Sequence, residues 1–408
     1  YGVMRPWHFP VSMWFKSSST KAYDPDALAA VAASQGEPDD VQRILVGADN
    51  DVYAERDRVE SGQYRPEETP LILHNLFHQY PNKYEPALRG VSFGVPKNQV
   101  LGLLGPNGAG KSTMIHLLTG LYTPTSGTAF VAGSNIRTDM STVHSKIGVC
   151  PQHDILWNDL TIADHLLFYA RLRGLKPSQE QQAVDYALVN VSLSEFRDRR
   201  VGGLSGGERR RVSIAISLLG DNKVIFLDEP STGLDPEVRR VIWDVVHRIK
   251  KGRTVILTTH SMEEADMLSD RICIMTMGRL RCIGSSLHLK EIYGTGFRLN
   301  IFSKPGRLEE ACQSIEEQLM AGKEYRRIDK FTNSSTFEFQ LSNVFYSSAN
   351  GQEHGELSMI FHYLNQPMMF PAIEDWSVSQ ATLEDVFIKV VTEGSDAIAL
   401  PGIAQYTA

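Results

Sequence analysis

No stretch of the 408-residue chain comes near the roughly 18 uninterrupted apolar residues that a membrane-spanning helix needs. There is no charged-then-apolar leader of signal-peptide type at the N-terminus. Cysteine is scarce: Cys150, Cys273, Cys282 and Cys312 show no C-x-x-C spacing, which argues against a zinc ribbon or a disulfide framework and fits reduced thiols in a cytosolic setting. Dense Lys/Arg tracts are absent and the net charge is −7, so a nucleic-acid groove is not expected. Apolar residues at 42% suffice for ordinary cores, and the length favours two or three domains.

What is present centres on Gly105-Pro106-Asn107-Gly108-Ala109-Gly110-Lys111-Ser112-Thr113. The apolar run Val100–Leu104 before it reads as a buried strand, and Met114–Leu118 after it as the start of a helix. Glycines let the backbone curl so that several N–H groups face one hollow, and the helix adds the positive end of its dipole. Lys111 then reaches the β/γ-phosphates of a nucleotide, and the Ser112 hydroxyl is placed to ligate Mg²⁺.

Upstream, Tyr1–Thr20 carries Trp7, Phe9, Trp14 and Phe15 among prolines, a pattern suited either to a membrane surface or to a hook beneath the main domain. So abrupt a beginning suggests a piece of something longer. Asp24–Glu68 holds twelve acidic residues against four arginines and reads as a solvated, partly disordered linker. Leu71–Leu76 alternates as a strand and leads to Tyr80 and Tyr84, either of which could stack on a base. Val91–Val95 and Val100–Leu104 read as a hairpin entering the glycine loop.

Downstream, Gly127–Val131 and Ile147–Cys150 read as strands, and Gln152 follows the second within reach of a metal ion or an attacking water. Leu160–Arg173 and Gln179–Val189 have helical periodicity, so that residues 154–204 look like a helical insert between two halves of an α/β core. Leu204-Ser205-Gly206-Gly207-Glu208 opens a basic helix, Arg209–Leu219. It offers a second anion-binding helix end, and one nucleotide does not need two, so it is expected to serve a nucleotide held by another copy; by itself it is equally a helix cap on Ser205. The strand Val224–Leu227 ends in Asp228, suited to Mg²⁺, and Glu229, suited to polarising water as a general base, an effect of roughly 10²–10⁴ in rate. Ser231–Asp235 is a turn, and His260 follows another apolar strand, Val255–Thr259, where it can meet a γ-phosphate. Ile272–Met275 and Leu280–Ile283 close the core as a hairpin about Gly278.

Taken together these residues resemble the nucleotide-binding domain of ABC transporters: Gly105–Thr113 as Walker A, Gln152 as the Q-loop residue, Leu204–Glu208 as the signature, Val224–Asp228 with Glu229 as Walker B, Ser231–Asp235 as the D-loop and His260 as the switch histidine. The stretches Gly148–Trp157, Thr258–Asp266 and Gly278–Lys290 are similar to the A subfamily of eukaryotic ABC transporters; Gly2–Pro10 and Asp51–Val59 are similar to chain around its cassettes. The resemblance implies an α/β fold: a P-loop ABC ATPase core with a RecA-like mixed sheet, an antiparallel β part and a helical subdomain. It implies ATP and Mg²⁺ as cofactors, Tyr80 as the base-stacking aromatic and Glu229, His260, Lys111 and Gln152 as the catalytic set. Ser112, Gln152 and Asp228 would serve the metal. It further implies a second nucleotide-binding domain and transmembrane domains as partners, lipid or lipophilic substrates, and a place at the cytoplasmic side of a membrane. Two other readings share these motifs, a soluble ABC ATPase acting on ribosomes or nucleic acid and an ATP-dependent switch that barely hydrolyses.

The expected organisation is an aromatic segment and acidic linker over 1–70, a nucleotide-binding domain over 71–294, a small domain over 295–393 and a flexible tail over 394–408. Phe297–Phe302, Phe337–Leu341 and Trp376–Val378 read as strands, and Leu308–Met320, Leu357–Asn365 and Thr382–Val391 as helices, with Thr382 and Asp385 spaced for an N-cap. That mixture suggests a ferredoxin-like α+β domain, which the resemblance makes regulatory.

Overall fold

In the computed structural model the described residues are 50–81, 83–294, 296–320, 325–331, 333–339, 356–365 and 371–396. The aromatic segment at 1–20, the acidic residues before 50 and the tail beyond 396 lie outside them. The chain divides into two units, one of the residues up to Ser286 together with those from Val390 on, the other Leu287–Lys389.

Alternation of apolar side chains builds the first unit. Strands β3 (Gln99–Leu104), β6 (Ile147–Cys150), β7 (Val224–Asp228), β8 (Thr254–Thr258), β9 (Arg271–Thr276) and β10 (Arg279–Gly284) form a six-stranded sheet in the order β10-β9-β3-β8-β7-β6, parallel but for β10. Successive residues feed opposite faces: Leu101, Leu103, Phe226 and Ile256 join one core, and Val100, Ile225, Leu227, Val255 and Leu257 the other. Burial on both faces is what parallel strands require, and it explains why these runs are almost wholly apolar. A separate antiparallel sheet, β2-β1-β4-β5, comes from β1 (Leu71–His78), β2 (Leu88–Val95), β4 (Ser126–Val131) and β5 (Ser134–Asn135).

The expected hairpin of Val91–Val95 with Val100–Leu104 does not form. β2 pairs with β1, whereas β3 lies between β8 and β9. The connection is held by other segments, the Lys97 N–H donating to Glu68 O (2.9 Å) and the Asn98 N–H to Arg253 O (2.7 Å). These long-range bonds carry the chain from one sheet to the other.

The acidic stretch is also not all free linker. Its last part forms α1 (Asn50–Glu60), which buries Val52, Glu55 and Val59. Glu55 accepts from Tyr64 Oη (2.6 Å), Arg58 Nη1 (3.0 Å) and Arg271, so a carboxylate in the core keeps a full set of donors. Helices α2 (Lys111–Leu118) and α3 (Met140–Lys146) follow, and the insert between β6 and β7 supplies α4 (Ile162–Leu172), α5 (Pro177–Asn190) and α6 (Gly206–Ser217). α7 (Pro236–Ile249) and α8 (Met262–Leu268) follow, and α9 (Ser286–Tyr293) begins the second unit.

After α9, β11 (Phe297–Ser303), α10 (Leu308–Gln318), β12 (Tyr325–Phe331), β13 (Ser334–Phe339), α11 (Glu356–Leu364) and β14 (Ile373–Gln380) run in the order βαββαβ, and α12 (Leu383–Asp396) follows. The sheet is β12-β13-β11-β14 and wholly antiparallel, the expected ferredoxin-like arrangement. Strand β12 was not foreseen, because its Tyr-Arg-Arg-Ile-Asp-Lys-Phe sequence mixes charge into both faces. Thr382 and Asp385 cap α12 reciprocally: the Asp385 N–H donates to Thr382 Oγ1 (3.3 Å) and the Thr382 N–H to Asp385 Oδ2 (2.9 Å).

Candidate functional site

The carboxyl ends of β3, β6, β7 and β8 converge, the usual place for a ligand crevice in an open parallel sheet. A cavity of about 500 Å³ opens there, lined by Ala87, residues 107–113, Gln152, Asp228, Glu229 and His260. Five segments distant in sequence thus meet in one hollow.

The loop after β3 is shaped by close approach. A Cβ on Gly105 would lie 2.4 Å from Met275 O, and one on Gly110, at φ 104°, would lie 2.6 Å from Ala87 O. Gly110 is the N-cap of α2 and supplies no side-chain cap, which leaves the first-turn N–H groups open to an anion. Lys111 Nζ folds back to donate to Gly105 O (2.6 Å) and Pro106 O (3.2 Å). Burial lowers its pKa, an effect that Glu229 and Asp228 partly oppose.

Glu229 is the focus of the polar contacts. Gln152 Nε2 donates to its Oε2 (2.8 Å), Thr232 Oγ1 donates to the same oxygen (3.2 Å), and His260 Nε2 lies 2.7 Å from Oε1. Its backbone is left-handed at φ 46°, with the N–H bonded to Thr258 O (3.1 Å). Strain of this kind gathers at functional sites. Asp228 accepts from Thr258 Oγ1 (2.5 Å) on Oδ1. Tyr80 stands beside the loop, its hydroxyl 3.2 Å from Thr113 Oγ1, whereas Tyr84 is fully exposed.

Ser205, Gly206, Gly207 and Glu208 do not line this cavity. They begin α6, where the Ser205 N–H donates to Glu208 Oε2 (2.7 Å) and the Glu208 N–H to Ser205 Oγ (3.3 Å). Of the two helix ends read as anion sites, one is uncapped and the other is closed by its own box.

Arg210, one turn into α6, escaped the reading of the sequence. It is 5% exposed and donates to the carbonyls of Pro151 (2.6 Å), Gln152 (3.2 Å), Asp228 (2.8 Å), Glu229 (3.2 Å) and Pro230 (2.9 Å), and to Asp154 Oδ1 (3.2 Å). It ties the Gln152 loop to the end of β7. An arginine one turn into a basic helix was the only signal available. A second, larger cleft of about 1010 Å³ lies between the helical insert and the core, with Leu172, Leu175, Gln179 and Tyr186 on one side and His144 and Asp221 on the other.

A strand, glycine loop and helix bearing Lys and Ser, set beside two carboxylates at a neighbouring strand's end, define a P-loop nucleoside triphosphatase. Residues 88–232 match the family model described as ABC transporter. The chain is 44% identical over 344 residues to ABC transporter A family member 7 of Dictyostelium discoideum, covering 84% of this chain and 39% of that protein. It is 41% identical over 359 residues to ABC transporter A family member 8 of Arabidopsis thaliana, covering 86% and 38%. With ATP-binding cassette sub-family A member 2 of Rattus norvegicus it shares 34% over 418 residues, covering 96% and 17%. The solved structure of cbiO1 from Clostridium perfringens, part of the ABC transporter complex cbiONQ, superposes with a TM-score of 0.52 at 25% identity, covering 62% of this chain and 97% of that one. The chain carries an ATP-binding, ATP-hydrolysing domain of the ABC transporter family, and its similarity to A family members extends over most of its length. It spans less than half the length of those curated relatives.

Proposed function

We propose that the chain is the ATPase module of a larger A-subfamily transporter, and that its cavity hydrolyses ATP with Glu229 as general base. The observation that carries this reading is the placing of the Glu229 carboxylate at the mouth of the glycine loop, between Gln152 and His260. Lys111 exchanges its loop carbonyls for the β/γ-phosphates, and the open N–H groups of α2 receive the same anion. Tyr80 stacks on the base. His260 meets the γ-phosphate.

The donors available to Mg²⁺ are the Ser112 hydroxyl, the second oxygen of Asp228 and the amide oxygen of Gln152, all hard oxygens of the kind that cation prefers. Among the described residues no group of three or more His, Cys, Asp and Glu side chains could hold a metal. Ser112, Asp228 and Gln152 would hold the cation beside the phosphates, where it would neutralise charge developing on them.

Ser205–Glu208 serve a nucleotide held by a second nucleotide-binding domain, so that two domains enclose two ATP molecules head to tail. Loss of the γ-phosphate removes the link between them, and the separation passes to transmembrane domains that move lipids or lipophilic molecules. Those transmembrane domains are placed on other segments in this reading; among the described residues no helix is long and apolar enough to cross a membrane. Their contact surface is the helical insert, where Ile155, Trp157, Phe168 and Leu172 are exposed, together with the neighbouring cleft. This module lies on the cytoplasmic side.

Glu229→Gln tests the chemistry. Turnover is expected to fall by roughly 10²–10⁴ with ATP still bound, and the variant is expected to dimerise by light scattering only with Mg-ATP. An unchanged hydrolysis rate would sink the assignment of the base. A monomer in both conditions would sink the self-pairing of two copies of this chain.

A further inference from the structure

Four buried polar atoms without a partner fall in one region of the first unit, away from the ATP cavity. They are Nη1 of Arg56 on α1, Nδ1 of His74 and Oδ1 of Asn75 beside the bulge of β1, and Nε of Arg89 on β2. Buried polar atoms are nearly always bonded, so a cluster of exceptions needs a cause. Loose packing is not the cause, since Glu55 on the same helix has a complete set of donors.

Arg56, Arg89 and Ser92 line one small pocket with Arg279 of β10. Arg56 is paired with Glu60 (2.6 Å), and among the described residues Arg89 has only the exposed Glu85 at 3.8 Å as an acidic neighbour. Among the described residues Arg279 has no acidic partner, and burial together with Arg89 and Arg281 lowers its pKa. Ser92 Oγ accepts from the Asn75 N–H (2.8 Å), which leaves its own hydrogen free to donate. Guanidinium N–H groups and a hydroxyl thus converge in a pocket whose own lining holds no carboxylate. The enclosed part of the pocket is about 10 Å³, room for one oxygen.

We propose that this pocket is a second anion site, in which Arg56, Arg89, Arg279 and Ser92 hold a terminal phosphate group with one oxygen inserted and the rest at the mouth. Arginine forks match a tetrahedral oxyanion better than lysine would. The site abuts the ATP loop through backbone alone: the Arg89 N–H donates to Gly278 O (2.8 Å) and the Gly278 N–H to Ala109 O (3.0 Å). The same chemistry is offered by free phosphate and by the phosphomonoester headgroup of a lipid.

The test is equilibrium dialysis of labelled inorganic phosphate against the full 408-residue chain carrying Lys111→Ala, which disables the ATP loop, with chloride held constant. One phosphate per chain is expected to remain. Adding Arg89→Gln with Arg279→Gln is expected to weaken it at least tenfold, and Ser92→Ala, which changes no charge, a few-fold. Soluble dihexanoyl phosphatidic acid is then added. Displacement at concentrations below those of phosphate itself supports the site with the lipid headgroup as occupant; the reverse order supports it with free phosphate. Absence of retained phosphate and of lipid binding in the Lys111→Ala chain, or binding indifferent to both the double arginine change and Ser92→Ala, would overturn the site.

Discussion

Replacing Arg210 by alanine should damage both stability and catalysis, and the geometry says by how much. The side chain is buried and donates to five main-chain carbonyls and to Asp154. A bond from a charged donor contributes roughly 1.5–3 kcal/mol, so summing six would overshoot the stability of a whole domain, about 5–15 kcal/mol. The sum is not the cost, because a carbonyl has two lone pairs and water can enter the space a guanidinium vacates. Asp154 also keeps the bond from Ser213 Oγ (2.7 Å). The relevant comparison is removal of one partner from a buried ion pair, about 3–5 kcal/mol. Urea unfolding of Arg210→Ala should show a loss of that size. ATP turnover of the folded fraction should drop more than tenfold, because the carbonyls of Gln152 and Glu229 are no longer tied to one plane. Arg210→Lys restores charge beside Asp154 but cannot reach both loops, so it should recover stability better than turnover. A change under about 0.5 kcal/mol, the scatter of ordinary surface substitutions, with turnover intact would refute the reasoning.

Glu55→Ala removes the acceptor shared by Tyr64, Arg58 and Arg271 and should cost about 3–5 kcal/mol in urea unfolding; an unshifted midpoint would show that α1 contributes nothing to the fold. Burial, reinforced by the bond to Glu55, pushes the Tyr64 phenol from 10.0 up to about 12. Since the neutral phenol is the form the fold prefers, this contribution is complete below pH 10 and is lost as pH rises toward 12. The difference in phenolate absorbance between the native chain and Tyr64→Phe should therefore titrate near 12, and a titration at 10 would contradict it. Gly148→Ala places a Cβ 2.0 Å from Ser217 O, a backbone atom that cannot yield cheaply, and should lower stability by about 1–3 kcal/mol or more; an unaltered melting temperature would show that β6 and α6 are free to separate.

The parts legible in the sequence were those whose physics is local. The Gly105–Thr113 loop, the apolar strands β6 and β7 and the Thr382 cap each depend on residues a few positions apart. What escaped depends on distant partners. The helix α1 hides in an acidic run because Glu55 is neutralised by Arg271, 216 residues away. The β2–β3 hairpin failed because β3 is claimed by β8 and β9, whose sequences give no sign of register. Arg210 looks like any basic residue on a helix until the two loops it joins are seen side by side. The residues alone leave Tyr80 and Tyr84 open; the structure sets the hydroxyl of Tyr80, which the resemblance prefers, 3.2 Å from Thr113 Oγ1 and leaves Tyr84 exposed.

The position of β3 has a consequence for synthesis. The strand that leads into the ATP loop is complete at residue 104, yet the strands on its two sides, β8 and β9, end only at residues 258 and 276. At roughly 5–20 residues per second a ribosome needs on the order of ten to thirty seconds to deliver both neighbours. Through that interval the nascent chain holds an apolar strand with two unpaired edges and a phosphate loop with nothing across from it. The cassette therefore becomes competent in a late, cooperative step, and the nascent protein is most open to chaperones, and to misassembly, between the making of its first motif and its last.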